Sequence, residues 1–474
     1  MRITNNMTTN KMLLNLNRNA NAVDVLYSQY ASGKKIQLAS DNPIIASRTL
    51  KFRTNISETE QYSRNVSQGL SWMDISEQGF ANSIDIMKTI REKCVQGAND
   101  TLSESDRKKI TTEIQSLYAQ LGAEMNVSYA GRYVFSGYRT DEPPTFEADN
   151  AMHYQINQDF TLQDIEKTKA YYKASSQDAP EVYDVYRLKI PYAGATMGAT
   201  LTATDASGAP TASSPYTITS VPTAAAASYN PAPGQIIFIQ DTGELIIAKD
   251  VMDQMGAEGT KGLSVSYEKQ GFLKGDPNPK VYFSCTDVGT GVSYDMNSQE
   301  LQFEFGVNTR ITINNLSKDV LTAQLYADLK SLVDTLAGIQ FSTDAELNAK
   351  YTAPPYNLTG EALTDALNAQ KKEEEQKYSG LMHDRFTNML ALIDTHNANI
   401  STEFTNLGSR MNRLTLIETR LEEDRVSYTK LMSENEDVDY LEVLMRLNSA
   451  DAVYQAAMKA GASIMQMSLA DFIR

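Results

Sequence analysis

Two stretches of this chain, one toward each end, carry apolar residues in a sustained 4-3 spacing, and the stretch between them does not. From Phe386 the repeat runs through Leu390, Ile393, Ile400, Phe404, Leu407, Met411, Leu414, Leu421, Tyr428 and Met432, interrupted by Asn397, Glu418 and Arg425. In the first part the same spacing links Phe52, Ile56, Val66, Leu70, Met73, Phe80, Ile84, Met87 and Cys94. Such a repeat keeps one apolar seam on one side of a helix, so each stretch needs a partner helix to cover it. The simplest partner is the other stretch. The expected fold is mainly α with an inserted β domain: N- and C-terminal helices paired into a long helical bundle or coiled-coil rod, and a middle segment forming an outward β-rich domain. Leu70, Trp72, Met73, Phe80, Ile84, Ile400, Phe404, Leu407, Met411 and Leu414 are the expected rod core.

Each helical end divides at a break. A first helix is expected from about Thr8 to Ala31, with Ser32-Gly33 as a left-handed C-cap. Ser40-Asp41-Asn42-Pro43 supplies N-cap side chains and a first-turn proline for the long helix that follows. Ser103 caps a third helix with Ile110, Ile114, Leu117 and Leu121 on one face. Toward the other end, Glu434 to Asp437 separates the long heptad helix from a last helix beginning near Val438. The last helix has a small-sided seam of Ala450, Val453, Ala457, Ala460, Ile464 and Met467, and its length suits it to lie against the first.

The middle reads differently. Arg132 to Tyr138 reads as a strand entering a turn, and eleven of the 14 prolines lie between Pro143 and Pro279. Gln235–Ile239 and Glu244–Ala248 are short strands around an Asp241-Thr242-Gly243 turn, and Ala193–Pro233 is either loop or small, weakly packed strands. A hairpin is expected from Val292 to Ile313, helix returns near Ser317, and Phe341–Gly360 reads as loop. The expected domains are 1–43 with 433–474, 44–145 with 310–432, and a β-rich outer domain over 146–309.

Chemistry adds little. With 43 Lys+Arg against 59 Asp+Glu the net charge is -16, which argues against nucleic acid or an anionic membrane as partner. Cys94 and Cys285 lie far apart in unlike contexts, so no disulfide framework is indicated. The histidines His153, His383 and His396 do not fall at metal-ligand spacing, and no nucleophile or phosphate-binding motif is present, so no cofactor, metal or catalytic residue is expected. No run of apolar residues is long enough to span a membrane, and the N-terminus lacks the pattern of a cleaved signal.

Several motifs are more specific. Arg2-Ile3-Thr4-Asn5-Asn6-Met7, Ser32-Gly33-Lys34-Lys35-Ile36 and Ser40-Asp41-Asn42-Pro43 resemble the opening of bacterial flagellins. So do Gln61-Tyr62-Ser63-Arg64-Asn65, Gly69-Leu70-Ser71-Trp72-Met73-Asp74 and Gly131-Arg132-Tyr133-Val134-Phe135-Ser136-Gly137. Gly408-Ser409-Arg410-Met411-Asn412-Arg413, Glu436-Asp437-Val438-Asp439, Tyr454-Gln455-Ala456-Ala457 and Ser468-Leu469-Ala470-Asp471-Phe472 resemble the family's C-terminal half. The resemblance covers both helical ends and none of the middle. Within the family, Arg2, Arg48, Trp72 and Ser468-Leu469 resemble the branch that joins the hook side to the filament, whereas the terminal Arg474 resembles filament flagellin.

The resemblance implies an extracellular structural protein of the bacterial flagellum, exported through the flagellar type III channel. Its implied partners are adjacent copies of itself in a ring, a hook-side junction protein, the flagellin filament, and an export chaperone on the C-terminal helix. Narrow seams on two helices alone bury little, so the outer helices are expected to be completed by neighbours. The contact residues are then Leu13, Leu16, Val23 and Tyr27 on the first helix, with Leu441, Leu444, Leu447, Tyr454, Met458, Ile464, Met465 and Leu469 on the last. Filament flagellin itself is the alternative, and an adhesin or glycan-active middle domain the remote one.

Overall fold

The computed structural model describes residues 5–99, 104–296, 299–306 and 308–472, excepting the side chains of 5–6, 104 and 464–472. It forms two compact units: Met1–Ser67 with Glu304–Thr309 and Leu414–Arg474, and Gln68–Phe303 with Arg310–Arg413. The helices are α1 (Asn5–Ser32), α2 (Pro43–Gly97), α3 (Glu104–Met125), α4 (Ala226–Tyr229), α5 (Lys249–Ala257) and α6 (Pro279–Tyr282), followed by α7 (Ser317–Val320), α8 (Ala323–Ala337), α9 (Asp344–Thr352), α10 (Gly360–Glu436) and α11 (Tyr440–Phe472). The chain is therefore mainly α with an inserted β region, as the periodicity implies.

In the first unit α1 and α11 run antiparallel. The rings of Tyr30 and Tyr440 meet edge-on at 6.0 Å between centroids at one end. Toward the other, Gly461 lies so close to Met12 that a Cβ there would come within 2.6 Å of the methionine methyl. Both caps follow the local sequence. Gly33 takes φ +70° beyond α1 and donates its N–H to Gln29 O at 2.9 Å. Asn42 Oδ1 accepts from Ile44 N and Ile45 N to start α2, with Pro43 at its first position.

In the second unit α2 and α10 are antiparallel partners, held by Phe80 against Phe404 at 6.1 Å and by the Arg91–Asp394 ion pair at 2.7 Å. Burial along both helices follows the heptad. Met73, Phe80, Met87 and Cys94 are fully buried, and so are Phe386, Ile393, Ile400 and Leu407. On α2 a second position per heptad, Ser76, Ser83 and Ile90, is sealed as well, whereas on α10 Leu390, Phe404 and Met411 are half-covered. α3 packs on α2 through Lys93–Glu113 and on α8 through Tyr118–Tyr326.

The inserted segment holds a ten-stranded sheet. Its members are β3 (Asn150–Thr161), β4 (Glu166–Tyr172), β5 (Glu181–Lys189), β6 (Thr196–Thr204), β7 (Tyr216–Val221), β8 (Ile236–Ile239), β9 (Glu244–Ile247), β10 (Gly262–Phe272), β11 (Ser284–Asp287) and β12 (Ser293–Tyr294), after a short hairpin of β1 (Ser128–Tyr129) and β2 (Arg132–Tyr133). The spatial order is β12-β11-β3-β10-β6-β7-β8-β9-β5-β4, and only the β7–β8 pair is parallel, with Ile218 opposite Ile236. β3 alternates buried Tyr154, Ile156, Gln158 and Phe160 with exposed neighbours, one face wet and one dry, while all four residues of β8 and of β9 are buried. An aromatic cluster of Phe146, Tyr192, Tyr267, Phe272 and Phe283 closes one part of the core, and Tyr192 donates its buried hydroxyl to Pro277 O at 2.8 Å.

The structure departs from the sequence reading in three places. Ala193–Pro233 is packed rather than loose, since β6 buries Leu201 and β7 buries Ile218. Phe341–Gly360 contains α9, begun by a capping box in which Thr343 Oγ1 accepts from Glu346 N while Glu346 Oε2 accepts from Thr343 N. The expected long hairpin splits, because β12 pairs with β11 and only β13 (Gln302–Gly306) and β14 (Thr309–Thr312) pair with each other.

Candidate functional site

The α1–α11 pair is the surface most in need of a partner. α1 has only Lys11, Arg18 and Asp24 as charges in its 28 residues, so little on it resists burial. Leu13 is 43% exposed, Tyr27 63%, Leu441 74%, Leu444 38% and Met458 49%, while Leu16, Val23, Leu447 and Tyr454 are half-buried. The side chains of Ile464, Met465 and Leu469 lie outside the described residues. Leu14, Val25 and Met445, not singled out by spacing, are exposed as well, and so is Val453 of the small-sided seam. Between the two helices a cavity of about 300 Å³ is lined by Asn19, Ala22, Arg446, Ser449, Ala450 and Val453.

Where the pair joins the long helices, the two linkers are bound to each other. Lys35 N donates to Glu436 O at 2.7 Å and Val438 N to Gly33 O at 3.0 Å, a short antiparallel bridge. Lys34 Nζ pairs with Glu436 at 2.9 Å and Asp437 at 2.6 Å, and Arg53 reaches the same Glu436 carboxylate at 2.8 Å. Asn435 Nδ2 donates to Ile45 O and Thr49 Oγ1. The hydrogen bonds from Lys34 and then Ser433 hold the Asp437 carboxyl below its usual value, and the bonds to Asp437 and then Glu436 raise Lys34. Apolar spacing marks both breaks but not this knot. The signal available was Lys34-Lys35 just after one helix and Glu434-Asn435-Glu436-Asp437 just before another of similar length.

Of the residues expected in the rod core, Trp72, Met73, Phe80, Ile400, Leu407 and Leu414 are buried, and Leu70, Ile84, Phe404 and Met411 are half-buried. Among the described residues no group of three His, Cys, Asp or Glu is placed to hold a metal ion, and no helix is long and apolar enough to cross a membrane.

Comparison with known proteins agrees with the two helical ends. Residues 3–140 match the bacterial flagellin N-terminal helical region, and residues 390–473 match the bacterial flagellin C-terminal helical region. Flagellar hook-associated protein 3 of Salmonella typhimurium is 30% identical over 132 residues, 27% of this chain and 41% of that protein. Its Escherichia coli counterpart is 31% identical over 25% of this chain and 38% of its own length. The chain thus spans about two fifths of the length of these relatives. A flagellin of Clostridium tyrobutyricum is 24% identical over 43% of this chain and 52% of its own. A solved structure of a putative flagellar hook-associated protein from Vibrio parahaemolyticus aligns over 84% of this chain and 100% of its own, at 13% identity and a TM-score of 0.39. That alignment adds nothing to the assignment, which rests on the two terminal matches. Both helical ends of this chain thus match the terminal helical regions of bacterial flagellins.

Proposed function

We propose that this chain is a structural protein of the bacterial flagellum of the hook-associated protein 3 type, the adaptor between the hook side and the flagellin filament. The observation that carries the reading is the pairing of family-type terminal helices, both with exposed apolar residues, around a middle segment outside the matched regions. In this reading 1–43 with 433–474 form an inner domain, 44–145 with 310–432 a helical rod and 146–309 an outer domain. Leu13, Leu16, Val23, Tyr27, Leu441, Leu444, Leu447, Tyr454, Met458, Ile464, Met465 and Leu469 meet neighbouring copies in a ring, the hook-side junction protein and the filament. Before assembly an export chaperone holds Val438–Arg474, and the chain leaves the cell by the flagellar type III route to an extracellular position at the hook–filament junction. No catalysis enters the role.

A strain lacking the gene should release unpolymerised flagellin and regain filaments when the chain is supplied. Purified protein should stay monomeric when seeded with filament fragments. Long polymers made from this chain alone would instead establish the second reading, filament flagellin, which the Clostridium tyrobutyricum match favours. Deleting Val438–Arg474 should abolish chaperone binding, and retained binding would refute that part.

A further inference from the structure

The second unit contains a buried charge cluster that the assembly role does not use. Arg187, only 7% exposed, is fully matched: Nη1 donates to Glu244 at 2.8 Å and Nη2 to Glu166 at 2.7 Å. Two further buried cations crowd the same carboxylates. Arg385 Nη1 lies 3.8 Å from the Glu166 oxygen already bound by Arg187, and its Nη2 donates to Lys169 O. Arg385 Nε and Nη1 have no hydrogen-bond partner. The nearest carboxylate oxygen paired with Lys189 is that of half-exposed Asp334, at 3.9 Å. The close carboxylate contacts of the buried Glu244 and the quarter-exposed Glu166 thus go to Arg187, and Arg385 and Lys189 are left with carboxylate partners only at 3.8–3.9 Å.

Arg385 and Lys189 line a cavity of about 340 Å³ whose walls also carry Tyr171, Tyr229, Tyr378 and Asp334. We propose that this cavity is a binding site for a small hydroxylated organic acid of the acidic-sugar class. Its carboxylate sits against Arg385 and Lys189, supplying a close counter-ion and acceptors for the orphaned guanidinium N–H groups. Its hydroxyls meet Asp241, Thr242 and Asp334, which also line the cavity, and its ring lies among the tyrosines. A bare inorganic anion would satisfy the cations but leave most of the space and these partners to water. The volume is in the small-molecule range, and the mix of tyrosine and charged walls suits a polar ligand rather than an apolar one.

Burial lowers Lys189 to about 8, with Glu244 opposing the fall and Arg187 deepening it, while Asp334 and Lys330 of α8 face it with opposite effects. Acid binding should therefore weaken as pH rises past 8, where the free site loses its proton. The test is calorimetric titration of the full chain with glucuronate, galacturonate and N-acetylneuraminate, and with glucose and inorganic phosphate as controls. At least one acidic sugar should bind at least tenfold more tightly than both controls, and Lys189→Met should weaken it at least tenfold. Lys189→Met removes a desolvated charge, so it should fold; the wild-type comparison stands without it. No binding by any of the three acids, equal binding of glucose or phosphate, or unchanged binding in a folded Lys189→Met protein would each overturn the proposal.

Discussion

Lys34 Nζ lies 2.6 Å from Asp437 Oδ1 although 403 residues separate them along the chain. The pair fastens the linker that leaves α1 to the linker that enters α11. Both side chains are 38% exposed, so solvent and salt screen them and the pair alone is worth below about 1 kcal/mol. The backbone bridge and the buried Glu436 carboxylate supply the rest of the join.

A double-mutant cycle of Lys34→Met and Asp437→Asn should give a coupling below about 1 kcal/mol, shrinking in high salt. Asp437 titrates low in the folded state, so its contribution is present above the ordinary Asp value of about 3.9 and is lost as pH falls through the folded value. Lys34 titrates high, so its contribution is present below the ordinary Lys value of about 10.4 and is lost as pH rises through the folded value. Amide exchange in the linkers should be flat with pH between those limits, after correction for intrinsic rates. A loss of protection confined to the neutral range would contradict the assignment.

Gly33→Ala should loosen the α1–α11 pair. The position has φ +70°, and a Cβ would fall 2.4 Å from the Tyr440 hydroxyl oxygen. The left-handed backbone alone costs a non-glycine residue about 1–2 kcal/mol. Hydrogen exchange at Tyr440–Val453 should rise, and adding Tyr440→Ala should relieve the clash but not the backbone cost.

Leu407→Ala and Leu441→Ala should separate folding from assembly. Leu407 is fully buried, so its truncation should cost about 2–5 kcal/mol in denaturant unfolding. Leu441 is 74% exposed, so its truncation should change monomer stability by less than about 0.5 kcal/mol. If the proposed assembly surface is right, Leu441→Ala still impairs junction formation in complemented cells. Normal filaments on that strain would remove Leu441 from the surface.

Glu244→Gln should destabilise the second unit by about 3–5 kcal/mol, because it strips the buried Arg187 of the buried one of its two counter-ions. Burial alone raises the Glu244 carboxyl, but Arg187, Lys189 and Arg385 together pull it below the usual value. Its stabilisation is therefore present above the ordinary Glu value of about 4.3 and fades as pH falls through the folded value. An acid-unfolding midpoint unchanged in Glu244→Gln would contradict this.

The helical ends were legible because a heptad is a geometric statement. Sealing one side chain in seven requires Phe386, Ile393, Ile400 and Leu407 to recur at that interval, and they do. The caps were legible for the same local reason, since Gly33 and Asn42 act within a few residues of themselves. The sheet order was not, because β3 pairs with β10 and β11 across more than 100 residues, and nothing in Asn150–Thr161 names those partners. α9 was readable in principle from Thr343 and Glu346 and was masked by the Pro354-Pro355 that follows. The Lys34–Glu436–Asp437 knot depends on side chains that are each ordinary surface charges until the two linkers meet.

The antiparallel closure of α1 on α11 also has a consequence in time. The sheet brings together partners within Asn150–Tyr294, whereas the helix pair must unite segments some 400 residues apart, as Lys34 and Asp437 are. Contacts that distant carry the largest loop-closure cost and form late. A chain threading out of any narrow passage, in either direction, therefore completes this helix pair only after both segments have emerged. Delay in closing the helix pair is built into the order of the segments.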